Sequence, residues 1–265
     1  MLLAQLSDPH ICRPGGLSNG RVDTNACFAR AVEHLARLRP RPAALLLTGD
    51  LADVGAPEEY AHLARLLAPL TDAGLPVHAI PGNHDDPALL AEAFPGWERA
   101  PFALPLGPLR LIGLDSRIAG ETAGALTPDT LVWLGDTLAA GPDTPALLMM
   151  HHPPIHTGLP MDKHRLRNPE ALAALLAGHP QVLGILCGHV HRMVVGSLGR
   201  VPVTVCPSTA HQLTLDLSAN PDDIRPSTFG YEPPGFLLHQ WFAGQGLVSH
   251  LVPVGAFPGP FPFGG

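Results

Sequence analysis

The chain has 265 residues, 46% hydrophobic and 15% charged, so it can bury the core of one large α/β domain and is too apolar for global disorder. A formal net charge of −7 with no basic stripe excludes a nucleic-acid polymer as the main partner, though not a small phosphate ester held by metal ions. No run of about 18 apolar residues suits a membrane span, residues 1–6 lack a basic leader, and the four cysteines form no CxxC pair. Together these features predict a reduced, cytoplasmic protein with no membrane partner.

In chain order, residues 2–6 read as a buried strand ending at Ser7-Asp8-Pro9-His10. A Gly-rich loop leads to a helix over 23–39, with Ala29, Val32, Leu35 and Ala36 near one face and Pro40 and Pro42 stopping it. Residues 43–47 form a second strand, ending in Thr48-Gly49-Asp50-Leu51-Ala52-Asp53. A helix over 57–70 opens at Pro57, and the strand 75–80 ends at Pro81-Gly82-Asn83-His84-Asp85-Asp86. A short helix at 88–94 precedes a hairpin of 102–106 and 109–114 over Gly107-Pro108. Helix 128–140 follows, then a strand at 146–150 ending in His151-His152-Pro153-Pro154.

The stretch 155–168 is irregular and holds His156, Asp162, His164, Arg165 and Arg167. Helix 169–177 leads to the strand 182–187 and the loop Gly188-His189-Val190-His191-Arg192. Short strands are expected at 192–197, 201–206, 211–216, 235–242 and 246–253, with the Pro-rich interval 218–234 separating the last two from the body. The tail 255–265 reads as a loosely ordered arm. The expected division is therefore a catalytic domain at 1–217 and a C-terminal extension at 218–265.

Five strand ends thus deliver Asp8 and His10, Asp50, Asn83 and His84, His151, and His189 and His191. Ligands of open α/β sheets bind outside the carboxyl ends of the strands. Residues i and i+2 of an extended segment point the same way, so His189 and His191 are expected to aim at one spot. Imidazoles, carboxylates and one amide, with no thiolate, suit Mn, Fe, Co or Zn rather than a Cys-rich structural zinc. Seven donors are too many for one tetrahedral ion. With Asp50 as a bridge they provide four bonds to each of two.

The order Asp8-x-His10, Gly49-Asp50, Gly82-Asn83-His84-Asp85, His151, Gly188-His189-x-His191 resembles the calcineurin-like metallophosphoesterases, across residues 8–191. Within that superfamily the chain looks most like the class III cyclic-nucleotide phosphodiesterases and the related glycerophosphodiesterases. Gly49-Asp50-Leu51-Ala52-Asp53 with Tyr60, the run His151-His152-Pro153-Pro154, Met161-Asp162 and Pro207-Ser208-Thr209-Ala210-His211-Gln212 carry that likeness.

The resemblance implies a four-layer αββα sandwich of two mixed sheets. It assigns one metal to Asp8, His10, Asp50 and His191, and the other to Asp50, Asn83, His151 and His189. It makes His84 a proton donor or transition-state stabiliser at the leaving-group oxygen, and Asp53 is expected to orient His84. His211 and His152 are expected around the substrate, the latter alternatively behind a ligand. Arg165 is expected to hold a phosphate oxygen.

The implied chemistry is hydrolysis of a small phosphodiester, of 3′,5′-cyclic nucleotide or glycerophosphodiester type, by a hydroxide bridging two divalent ions. A phosphomonoesterase or a broader phosphonate or nucleotide hydrolase is the alternative. A non-catalytic scaffold predicts broken ligands, and none is broken here. Strands in 230–254 offer an edge for pairing, so a homodimer or higher oligomer is expected.

Overall fold

The computed structural model describes residues 1–218, 227–259 and 261–263. Thirteen strands and five helices occur among them in the order β1 (Leu2–Leu6), α1 (Thr24–Arg37), β2 (Ala44–Thr48), α2 (Pro57–Thr71), β3 (Val77–Ile80) and α3 (Pro87–Ala93). There follow β4 (Phe102–Leu106), β5 (Leu109–Gly113), α4 (Pro128–Ala139), β6 (Ala146–Met149), α5 (Pro169–Ala177), β7 (Val182–Cys187), β8 (Val194–Leu198) and β9 (Val201–Val205). The last are β10 (Gln212–Leu213), β11 (Phe229–Gly230), β12 (Gly235–Phe242) and β13 (Gly246–Pro253).

Four layers result. One sheet has the order β13-β12-β1-β2-β3 and the other β4-β5-β6-β7-β9-β8, each mixing parallel and antiparallel pairs. The apolar run of β2 is continuous because both of its faces are covered. Leu45 and Leu47 pack with Phe28, Leu35, Tyr60 and Leu63 of α1 and α2. Ala44 and Leu46 face Leu147, Met149 and Leu186 of the other sheet. Behind that second sheet, Leu134 and Leu138 of α4 and Leu172 and Leu176 of α5 close the fourth layer.

Helix starts follow capping chemistry. Asp23 accepts from Ala26 N at 2.9 Å, Asp86 from Ala88 N and Leu89 N, and Thr127 from Thr130 N, each satisfying an amide that the helix leaves open.

Three expectations change. The segment 211–216 contributes only the two-residue β10, which pairs with β11. The irregular stretch 155–168 contains a 3-10 turn at Pro160–His164. The strands beyond the Pro-rich interval lie inside the first sheet, because β12 runs antiparallel along β1 from Leu2↔Gln240 to Gln5↔Leu237. Part of that interval, 219–226, lies outside the described residues, as do 260, 264 and 265 of the expected arm. The described part of the arm holds no strand or helix. No helix among the described residues is long and apolar enough to cross a membrane, and all four cysteines are free.

Candidate metal centre and active site

All seven proposed ligands sit just past the carboxyl ends of β1, β2, β3, β6 and β7. Six non-glycine residues among those described have positive φ, and five are ligand candidates: Asp8 at 50°, His10 at 44°, Asp50 at 49°, His189 at 73° and His191 at 52°. Side chains avoid that left-handed region, so the packing around the site holds the backbone there. His189 and His191 are therefore not presented by extended chain, as the i, i+2 argument supposed. Left-handed turns aim them apart, His189 towards His151 and His191 towards Asp8.

Two glycines make this crowding possible. A Cβ on Gly82 would lie 2.2 Å from both the amide nitrogen and a carboxylate oxygen of Asp50. One on Gly188 would lie 2.1 Å from Ser7 Oγ and 2.8 Å from Asp8 Oδ2. Both positions need a bare backbone.

The donors form two groups that meet at Asp50. In the first, His10 Nε2 lies 3.0 Å from His191 Nε2 and 3.6 Å from Asp50 Oδ2, and His191 Nε2 lies 3.5 Å from Asp8 Oδ1. In the second, His151 Nε2 lies 3.2 Å from Asn83 Oδ1, 3.3 Å from Asp50 Oδ2 and 3.3 Å from His189 Nδ1.

The other nitrogen of His151, Nδ1, donates to the Thr48 carbonyl at 2.8 Å. One proton on Nε2 can serve only one of its three neighbours, whereas a cation is ligated by all of them. His189 Nε2 and His191 Nδ1 are buried without a hydrogen-bond partner. The residues present fit metal ions.

Three of the four histidine ligands already have the charge state a metal requires. Burial, despite the opposing pull of Asp50, pushes the pKa of His10 down to about 3, and burial likewise holds His189 and His191 well below the ordinary range. These imidazoles are neutral, as metal ligands must be. Burial raises Asp8 to about 7. For Asp50 burial works the same way, but His151 and His10 outweigh it and hold the carboxyl well below its usual range. His151 is raised to about 9, because Asp50 overcomes the desolvation that disfavours its charge.

His84 stands at the exposed side of this cluster, its ring 4.7 Å from that of His10. Its Nδ1 donates to the backbone carbonyl of Asp53 at 2.6 Å. The Asp53 carboxylate does not orient it. That carboxylate accepts from Ser18 Oγ at 2.7 Å and lies 3.6 Å from His10 Nδ1.

His211 is brought to the site, its ring 4.7 Å from that of His191 and 4.8 Å from Phe229. His152 is not open to a substrate. It is fully buried, with Nδ1 bonded to Ser116 Oγ at 2.8 Å and Nε2 to Thr122 O at 3.0 Å, and it packs behind His189. Arg165 is not brought to the metal centre either. Its guanidinium donates to Leu166 O, and it lines a separate recess with Ile155, Pro169 and Gly196.

One residue missing from the sequence-based site is Asp85. Its carboxyl accepts from Gly82 N at 2.8 Å, Leu51 N and Ala52 N at 3.0 Å, and Tyr60 Oη at 3.2 Å. It thereby ties the loop of Asp50 to that of Asn83 and His84. The signal was present, since Asp85 closes the Gly82-Asn83-His84-Asp85 run and Tyr60 lies in the helix between the two loops.

Paired carboxylates and imidazoles at the strand ends of a double-sheet sandwich define a metallohydrolase. The chain belongs to the calcineurin-like phosphoesterase family, whose model matches residues 1–193. It is 36% identical to the probable glycerophosphodiester phosphodiesterase GpdQ of Arcobacter nitrofigilis, over 99% of this chain and 97% of that protein. It is 34% identical to the 3′,5′-cyclic adenosine monophosphate phosphodiesterase CpdA of Pseudomonas aeruginosa, over 80% and 77%. Among solved structures, a dimetal phosphatase from Danio rerio shares the fold at TM-score 0.60 and 14% identity, over 96% of this chain and 99% of that one.

Proposed function

We propose that this protein is a metal-dependent phosphodiesterase that hydrolyses small phosphodiesters of 3′,5′-cyclic nucleotide or glycerophosphodiester type at a two-ion centre. The observation that carries the reading is the meeting of two donor groups at one carboxylate, Asp50. Asp8, His10, Asp50 and His191 would hold one ion, and Asp50, Asn83, His151 and His189 the other. The nitrogen and oxygen donors suit Mn, Fe, Zn or Co. Bound there, divalent ions lower the pKa of water and polarise phosphoryl oxygens.

The chain's own contribution is position and proton transfer. Thr48 O fixes the tautomer of His151 and leaves Nε2 facing the centre. His84 commits its Nδ1 proton to Asp53 O, so Nε2 can protonate a leaving oxygen only from the imidazolium form. Against desolvation, the Asp50 carboxylate and the Asp53 carbonyl raise the His84 pKa towards that form. His211, beside His10 and His191, offers a contact to the rest of the substrate.

The relatives named as glycerophosphodiester and cyclic-nucleotide phosphodiesterases support the substrate class. The free cysteines support a cytoplasmic setting. The unpaired side of edge strand β13 supports a homodimer formed by strand pairing.

The test is turnover of the Mn-loaded protein on bis(p-nitrophenyl) phosphate, p-nitrophenyl phosphate, 3′,5′-cyclic AMP and glycerophosphoethanolamine. Higher kcat/KM on diesters is expected. Preference for the monoester would make the protein a phosphomonoesterase on the same site.

A further inference from the structure

Between the two sheets, where apolar packing is the rule, a row of polar side chains crosses four adjacent strands. Ser249 of β13, His239 of β12, Gln5 of β1 and Thr48 of β2 share the face turned towards the second sheet, as the registers His239↔Ser249, Gln5↔Leu237 and Gln5↔Leu46 require. His239 and Gln5 are fully buried. The distances are short: His239 Nδ1 to Ser249 Oγ 2.7 Å, His239 Nε2 to Gln5 Oε1 2.9 Å, and Gln5 Nε2 to Thr48 Oγ1 2.9 Å. Gln5 Nε2 also reaches the carbonyl of Cys187, at the end of β7, at 3.0 Å.

That last contact fixes the direction of every bond in the row. A backbone carbonyl can only accept, so the amide nitrogen of Gln5 must face Cys187. Gln5 Oε1 must then accept from His239 Nε2–H, which leaves His239 Nδ1 to accept from the Ser249 hydroxyl. Towards the site, Gln5 donates to Thr48 Oγ1, whose own proton goes to Ser7 Oγ at 2.8 Å. Ser7 in turn donates to Thr48 O, 3.3 Å away. The row ends there, on the carbonyl that accepts from His151 Nδ1.

We infer that Gln5 is a positioning residue for the metal centre. Its donor pair orders Thr48 and Ser7 so that the Thr48 carbonyl holds His151 in the Nδ1–H tautomer. The same amide, bonded to Cys187 O just before Gly188, sets the height of the His189–His191 loop against the first sheet. One side chain thus references donors of both sheets to each other. Ser249 and His239 complete its acceptor side from the edge strand. This inference rests on the reading of the strand-end cluster as a metal site.

Gln5→Glu keeps the shape and removes both donated bonds when the carboxyl is ionised and one of the two when it is protonated. The experiment is equilibrium dialysis of the full chain against Co(II), with thermal unfolding of the ion-free protein alongside. Loss of a partner that orients a metal-bound imidazole weakens metal affinity by 10–100-fold, and the more distant Gln5→Glu is expected at about tenfold. Histidine ¹⁵N–¹H correlations of the ion-free protein should show Nε2–H and no Nδ1–H at His239, the tautomer that the direction of the row requires.

If Gln5→Glu does not fold, Thr48→Val, which keeps the carbonyl and deletes the hydroxyl, takes its place. Thr48→Ser should restore the wild-type value. A lowered melting temperature with Co(II) affinity unchanged within twofold would reduce Gln5 to a structural role and overturn the inference. A wild-type chain that binds no Co(II) would instead overturn the metal-site reading itself.

Discussion

The ligand ring and the wall of linking segments, which meet one another around Leu159, Leu213 and Thr228, are built by opposite means. The ligands hang on the first residues past buried parallel strands, five of the seven with a left-handed backbone that the packing enforces. The wall is assembled from irregular segments pinned by single side chains. Asp162 accepts from Thr157 N and Gly158 N, Arg192 reaches across to Leu213 O, and Tyr231 Oη donates to Arg21 O. A strand end has one place to put its next side chain, whereas a loop takes its place from whatever it meets.

If that contrast is right, substitutions in the ring should be severe and those in the wall mild. Asp50→Ala, which removes the carboxylate common to both donor groups, should lower kcat on bis(p-nitrophenyl) phosphate by about 10³-fold or more. Metal analysis should show fewer than two ions per chain. Near-normal metal content would break the shared-carboxylate picture.

His84→Ala should cost about 10²-fold on substrates with alkoxide leaving groups and clearly less on a p-nitrophenyl ester. Equal losses on both would remove its role as an acid.

Asp53→Asn preserves the carbonyl that His84 uses and alters the carboxylate beside His10. The effect should appear in metal affinity, at about tenfold, and leave the difference between leaving groups unchanged. At the wall, His211→Ala should raise KM about fivefold, the size of one hydrogen bond, with metal content intact. Arg165→Ala should change kcat/KM by no more than about twofold, as a surface substitution. A larger loss there would mean that the segment 155–168 closes over substrate.

The same contrast explains what the sequence made legible. Periodicity located the helices and the core strands, because β2 and β7 are apolar runs cut off by Gly49 and Gly188. The ligand motifs stood out because chemistry and strand ends coincide. The place of β12 was hidden: nothing local in Gly235–Phe242 says that it pairs with the first strand of the chain. The atom by which Asp53 meets His84, and the choice between substrate and ligand for His152, were hidden for a related reason. Sequence proximity to a ligand does not reveal which atom of a residue makes the bond, or which way a ring faces.

The pairing of β1 with β12 also imposes an order in time. The partner of Leu2–Leu6 on one side, β2, follows within about fifty residues, but the partner on the other side lies more than 230 residues downstream, where Leu2 meets Gln240. During synthesis one flank of β1 stays open until β12 has emerged, and Gln5 waits with it for His239. Contacts this distant in sequence slow folding and leave a strand edge available to wrong partners. A chain ending at residue 217 would keep every metal ligand and still lack the strand that closes the sheet beneath them.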